Sequence, residues 1–144
     1  LTTKGGVNSG YMIVQYSAAS MVSENKVLAH PASVDSIPSS ANQEDMVSMG
    51  TTAARKSGWI VQNTLSVLAD ELLTACQAID IRRRLNTHGQ GISPVHQKVF
   101  DRVRKDIAFY ETDRELWQDI QAAEKLVRSG ELLEIVHETV ADFE

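Results

Sequence analysis

At 144 residues with 42% hydrophobic side chains, the chain is long enough to bury one core, and a formal charge of −5 argues against a nucleic-acid partner. Lys and Arg against Asp and Glu number 7 and 7 up to Pro94 but 7 and 12 from Val95 onward, so the acidity belongs to the tail. A single cysteine, Cys76, excludes an internal disulfide framework; set among Leu72, Leu73 and Ala75, it predicts a buried, inert thiol in a reducing compartment.

Leu1 to Val7 reads as an irregular lead-in with a Gly5-Gly6 pair, and Asn8 or Ser9 is placed to cap a first helix. Residues 5–23 carry no charge, yet Asn8, Gln15, Ser17 and Ser20 interrupt the run, whereas a membrane span needs about 20 predominantly apolar residues. A helix buried among helices is expected instead, with no membrane partner. No basic stretch precedes this run and no cleavage pattern follows, so secretion is not indicated. Pro31 stops the helix near His30, because the residue before a proline is driven from helical angles.

The stretch Ser36-Ile-Pro-Ser-Ser-Ala-Asn-Gln-Glu-Asp-Met-Val-Ser-Met-Gly50 carries the most specific signal. Ser40 and Gln43 have the spacing of a capping box, which predicts a helix beginning there and running through Met46. Gln43, Glu44 and Asp45 then fall in a first turn, where the helix dipole favours an ionised Glu44 able to grip a cation or accept a proton. A plain capping role explains the same residues.

From Val47 to about Leu85 the pattern is helical and free of proline. Val61, Leu65, Leu68, Leu72, Ala75 and Ile79 alternate four and three apart, the seam of a helix laid along its neighbours. At 1.5 Å per residue this run spans on the order of 55–60 Å, more than a core of this size covers. The surplus apolar surface implies other helices or self-association. Arg82, Arg83 and Arg84 read as a dipole-matched helix end.

Asn86 to Pro94 is a linker ending in a cap at Ser93. Three short amphipathic helices follow, with faces Val95, Val99, Val103 and Ile107; Leu116, Ile120, Ala123 and Val127; and Leu132, Val136, Val140 and Phe143. Gly130 is a natural stop between the last two, and Asp113 or Asp119 opens the second. His30, His88, His96 and His137 are too scattered for a metal site, and no phosphate-binding glycine motif or nucleophile elbow occurs. Trp59, Trp117, Tyr11 and Tyr16, at helical spacing among aliphatics, are expected in the core.

The expected fold is therefore all-α, a long-helix bundle with a tail of short amphipathic helices. Residues 1–85 form the bundle segment with a site loop at 31–47, residues 86–94 the linker and residues 95–144 the tail.

One long resemblance bears on function. Met12-Ile-Val-Gln-Tyr-Ser-Ala-Ala, Ser23-Glu-Asn-Lys, His30-Pro-Ala-Ser-Val-Asp-Ser-Ile-Pro38, Asn42-Gln-Glu-Asp45 and Val47-Ser-Met-Gly50 resemble the C-terminal part of the histidine ammonia-lyases, within the aromatic amino acid lyases. Glu71-Leu-Leu73, Ala75-Cys-Gln-Ala78 and, more weakly, Leu126-Val-Arg-Ser-Gly130 extend it. The resemblance implies the ammonia-lyase helical fold, a cytoplasmic homotetramer, and elimination of ammonia from L-histidine to give urocanate. It also implies a methylidene-imidazolone electrophile made from an internal Ala-Ser-Gly. That tripeptide does not occur here: Ala19-Ser20 precedes Met21 and Ala32-Ser33 precedes Val34. The electrophile would come from outside these residues, and the isolated chain is expected to be inactive.

Glu44 matches the family's active-site glutamate, giving it a catalytic and substrate-binding role, with Gln43 substrate-binding beside it. A carboxylate suits an imidazole substrate where an amide suits an apolar ring. Met46 replaces the histidine often found there in histidine-type enzymes, which leaves a lyase acting on another aromatic amino acid open. A non-catalytic assembly module derived from the family is the other alternative.

Overall fold

The computed structural model describes residues 1–34, 36–85 and 91–140. Asp35, most of the expected linker and Phe143 of the third tail face lie outside the described residues. Five helices follow in order: α1 Met12–Leu28, α2 Gly50–Leu85, α3 Pro94–Asp106, α4 Trp117–Ser129 and α5 Glu131–Thr139. The described residues contain two isolated bridges and no strand, so the fold is all-α. Packing divides the chain into two compact units, Leu1–Ala18 with Leu65–Glu144, and Ala19–Thr64.

The first unit holds the core. Ala69, Leu73 and Cys76 of α2 are buried with Phe100 and Val103 of α3, Ile107, Tyr110, Leu116, and Ala123 and Leu126 of α4. Tyr11 and Val14 complete the cluster, the Tyr11 and Tyr110 rings meeting at 5.2 Å and tilted by 58°. Burial pushes the Cys76 thiol above its ordinary range, as an inert core thiol requires. Helices α3, α4 and α5 pack on one another, and Arg102 ties α3 to Glu131 of α5 while also pairing with Asp106 at 2.7 Å.

Local signals account for several helix ends. Ser93 caps α3 with Pro94 at its first position, and Gly130, at φ 79°, closes α4 in the left-handed conformation. Arg82, Arg83 and Arg84 fill the last turn of α2, where cations complement exposed carbonyls. Arg83 also lies over the Phe100 ring and Arg84 over Phe109.

Other ends depart from expectation because distant partners compete for the capping groups. Asp113 does not open α4, whose cap is Leu116 without a side-chain bond. Its carboxylate instead accepts the Ser9 and Gly10 N–H groups at 2.7 and 3.0 Å, which hold it below the usual carboxylate range. Asn8 returns the contact, its Oδ1 accepting the Asp113 N–H at 3.1 Å, so α1 starts at Met12 without an Asn8 cap. Gly10 makes this approach possible: its φ is 61°, and a Cβ there would lie 2.8 Å from the Leu1 carbonyl oxygen.

The buried face of α2 is also not the expected seam. Val61 and Leu68 are exposed, whereas Ser66, Asp70 and Gln77 are buried. The enclosed face is the one that supplies polar partners to irregular chain and to α4. Gln77, fully buried, donates from Nε2 to the Tyr110 carbonyl at 2.7 Å and accepts the Tyr110 N–H at 3.1 Å. Ser66 Oγ bonds Glu124 of α4. Of the four aromatics expected inside, only Tyr11 is; Trp59, Trp117 and Tyr16 are about half to two-thirds exposed, their helix faces uncovered by the described residues.

Replacing Gln77 with Leu keeps the bulk and strands both Tyr110 backbone groups in the core. At about 1–3 kcal/mol for each of the two unsatisfied groups, Gln77→Leu is expected to lower unfolding free energy by about 2–6 kcal/mol. Urea unfolding checks this through a lower midpoint.

Asp70 sets a pH dependence. Burial, and then the Glu124 carboxylate, raise its pKa from 3.8 to about 6. Between those values the folded chain holds a proton at Asp70 that the unfolded chain releases, so this group's contribution to stability is fully present below about 4 and is lost as pH rises through 6. Asp70→Asn is expected to flatten the fall in Tm across that window.

Candidate functional site

Gln43 and Glu44 lie in the second unit, on the loop that joins α1 to α2. The two helical arms of this unit are tied by Asn63, whose Nδ2 donates to Glu24 at 2.7 Å and to the Asn25 side-chain carbonyl at 3.0 Å. Lys56 Nζ bonds the His30 carbonyl where α1 ends. That contact borders a cavity of about 200 Å³ lined by Leu28, Pro31, Ala53 and Ile60.

No helix begins at Ser40. Ser40, Ala41 and Asn42 have φ of 52°, 53° and 66°, three successive left-handed residues, and α2 starts only at Gly50. A right-handed first turn cannot be built on such angles, so the Ser40–Gln43 spacing has no capping box to serve. The chain makes a tight reversal instead. Ser39 N–H donates to the Glu44 carbonyl at 2.8 Å, Glu44 N–H to the Ser39 carbonyl at 3.3 Å, and Gln43 N–H to the Ser40 carbonyl at 3.1 Å. Serine and asparagine tolerate this geometry through local hydrogen bonding; Ala41 has no such help, and left-handed angles cost it about 1–2 kcal/mol.

A second clasp closes the loop farther out. Ser36 Oγ accepts the Val47 N–H at 2.7 Å and lies 3.5 Å from the Val47 carbonyl. Residues 37–46 are thus held at both ends by serines eleven residues apart from, or five residues before, their partners. Strain maintained by surrounding bonds is what a loop needs in order to present side chains at fixed positions.

What it presents is polar. Gln43 and Glu44 are adjacent and exposed, and the Glu44 carboxylate has one side-chain contact, with Ser39 Oγ at 3.5 Å. The expected placement of Glu44 at the positive end of a helix dipole does not hold, since α2 starts six residues later. The pair offers an acceptor and an amide to a ligand with N–H donors. Asp45 and Met46 beside them are exposed too. Among the described residues, no group of three or more His, Cys, Asp or Glu could hold a metal ion, and no helix is long and apolar enough to cross a membrane.

The family resemblance pointed to Gln43 and Glu44 but not to Ser36 and Ser39 as their supports. No periodic rule links Ser36 to Val47; the only visible hint was the density of serines around Pro38. Ser36→Ala is expected to loosen the outer clasp by about 1 kcal/mol, speeding hydrogen exchange at the Val47 amide roughly fivefold. Exchange within α2 from Ala69 to Gln77 should stay unchanged.

A family model described as aromatic amino acid lyase matches residues 1–105. Histidine ammonia-lyase 1 of Fusobacterium nucleatum is 54% identical over 144 residues, all of this chain and 27% of the relative. Histidine ammonia-lyase of Caldanaerobacter subterraneus is 54% identical over 138 residues, 96% of this chain and 26% of the relative. The crystal structure of histidine ammonia-lyase from Trypanosoma cruzi superposes with a TM-score of 0.87 at 43% identity, covering 98% of this chain and 27% of that one. Tyrosine aminomutase from Streptomyces globisporus gives 0.84 at 33% identity over 98% of this chain and 26% of that one. The chain therefore spans about a quarter of the length of the curated relatives it matches.

Proposed function

This chain belongs to the aromatic amino acid lyase family, and from that premise we propose that it is the C-terminal part of a histidine ammonia-lyase, contributing Glu44 and Gln43 to a site that other residues complete. The observation that carries the reading is the exposed Gln43–Glu44 pair, held on a strained and doubly clasped turn, in a chain with this degree of identity to proteins named histidine ammonia-lyase. The reaction is elimination of ammonia from L-histidine to give urocanate.

A methylidene-imidazolone supplies the electrophilic chemistry of that reaction in the complete protein. No Ala-Ser-Gly occurs among the 144 residues, so they cannot form the group, and this segment's part is recognition and proton acceptance. Glu44 accepts a hydrogen bond or proton from the substrate's imidazole or amino nitrogen, and the Gln43 amide orients the same ligand from the neighbouring position. Ser39, by holding both Glu44 backbone groups, fixes where that acceptor stands.

Residues 1–85 are the bundle segment that carries the site loop 31–47, and residues 95–144 a tail beyond the 86–94 linker. The complete protein works in the cytoplasm as a homotetramer. The structural likeness to tyrosine aminomutases leaves a tyrosine-type substrate as the second reading, since Met46 occupies a position next to the site where histidine-type enzymes often carry histidine.

The test joins this chain to the part of the Fusobacterium nucleatum relative that lies outside the match. Glu44→Gln preserves shape and removes the charge, and is expected to cut urocanate formation about 10²–10⁴-fold with folding unchanged. A rate within a few-fold of the parent would reduce Glu44 to a turn residue. Turnover of tyrosine in place of histidine would favour the second reading.

A further inference from the structure

A groove of about 480 Å³ runs in the first unit between the start of α1 and the outer face of α2. Tyr11, Val14 and Ala18 form one wall, and Val67, Thr74 and Ala78 mark the other. The α2 residues repeat at helical spacing over eleven positions, about 16 Å of axis. That makes the opening a lengthwise channel, the shape into which the side-chain row of another helix fits. Its small residues, Ala18, Ala75 and Ala78, permit close approach of a backbone.

The channel is apolar apart from a few polar side chains, and two of these are buried without a hydrogen-bond partner, the Tyr11 hydroxyl and, with a charge at stake, the Asp70 carboxylate. Asp70 lines it, is 2% exposed, and neither of its carboxylate oxygens has a hydrogen-bond partner. A buried carboxylate left in that state is costly and calls for a donor. Glu71 shares the lining and Glu124 acts on Asp70 from α4, whereas among the described residues no Lys or Arg lines the channel. The local charge is acidic, and its complement is a cation.

We infer that this channel seats an apolar helix from the part of the family's length outside these 144 residues, and that the helix brings a Lys or Arg side chain to Asp70. The inference rests on the reading of this chain as a piece of a longer ammonia-lyase polypeptide. Three observations favour such an occupant over a small ligand or a second copy. The channel follows the helix axis, the orphaned carboxylate lies within an otherwise largely apolar wall, and the curated relatives hold nearly three-quarters of their length beyond the match.

A photo-crosslinking residue placed at Ala78, in the chain expressed together with the unmatched part of the Fusobacterium nucleatum relative, tests this directly. Peptide mapping is expected to find the crosslink on a helical segment of the added part that contains Lys or Arg. Asp70→Ala should cut its yield at least about tenfold, and Asp70→Asn by less, because the isostere keeps the space filled. Circular dichroism on each variant confirms that α2 still folds.

Crosslinks to residues 1–144 of a second copy would overturn the proposal, as would no protein crosslink at all or a yield indifferent to Asp70→Ala. Urocanate formation by the same parent assembly reads the enzymatic assignment separately. A crosslink without turnover would leave the channel's occupant established and the histidine-lyase reading refuted; turnover without the crosslink would do the reverse.

Discussion

The buried amide of Gln77 is the contact on which the first unit depends. Between α3 and α4 the chain runs from Ile107 to Leu116 with no helix to absorb its backbone hydrogen bonds, yet Ile107, Tyr110 and Leu116 all enter the core. A side-chain amide offers one donor and one acceptor in a fixed plane, the same pair that a neighbouring peptide would. Gln77 thereby lets an irregular segment be buried without stranding its polar groups. Tyr110, once fixed, positions the ring that meets Tyr11, and its hydroxyl and the Asp113 carboxylate gather the chain's first residues onto the same core.

The second unit solves a different problem with similar means. A loop carrying polar side chains to solvent has no hydrophobic reason to keep one shape, so order has to come from hydrogen bonds. Here they come from serines, at Ser36 and Ser39, and they are strong enough together to hold three non-glycine residues in left-handed angles. The side chains on this turn then need no helix terminus to fix them. Electrostatic help from a helix dipole is replaced by geometric definition, and Glu44 stands exposed on the turn.

Much of this fold was legible wherever a feature is governed by neighbours in sequence. Pro31 ends α1, Ser93 and Pro94 start α3, Gly130 separates α4 from α5, and the three arginines close α2, because each acts within one turn. The features that escaped are those settled over distance. Asp113 looks like a cap until Ser9 and Gly10, more than a hundred residues away, claim it. The heptad-like seam of α2 correctly marks an apolar face, but periodicity cannot say how much of that face this chain's own residues cover: Leu72 and Ile79 pack against the core, whereas Val61 and Leu68 stay exposed. The Ser40–Gln43 box failed for a sharper reason: the same serine and asparagine that favour helix starts also favour left-handed turns. Gln43 and Glu44 themselves were visible through kinship, not through any local rule.

Gly130 serves at once as the last cap of α4 and the first of α5, so nothing separates the two helices but one residue. A joint of that kind has no slack. Inserting or deleting a single residue there would turn α5 by about 100° and slide it by about 1.5 Å, carrying Glu131 away from Arg102 and Leu132 away from the core it flanks. The chemical identity of nearby surface residues is free to drift, whereas the length of the joint is not. Among homologous chains this predicts that substitutions accumulate at the exposed positions around Gly130 while insertions and deletions avoid the joint, a signature of mechanical rather than chemical constraint.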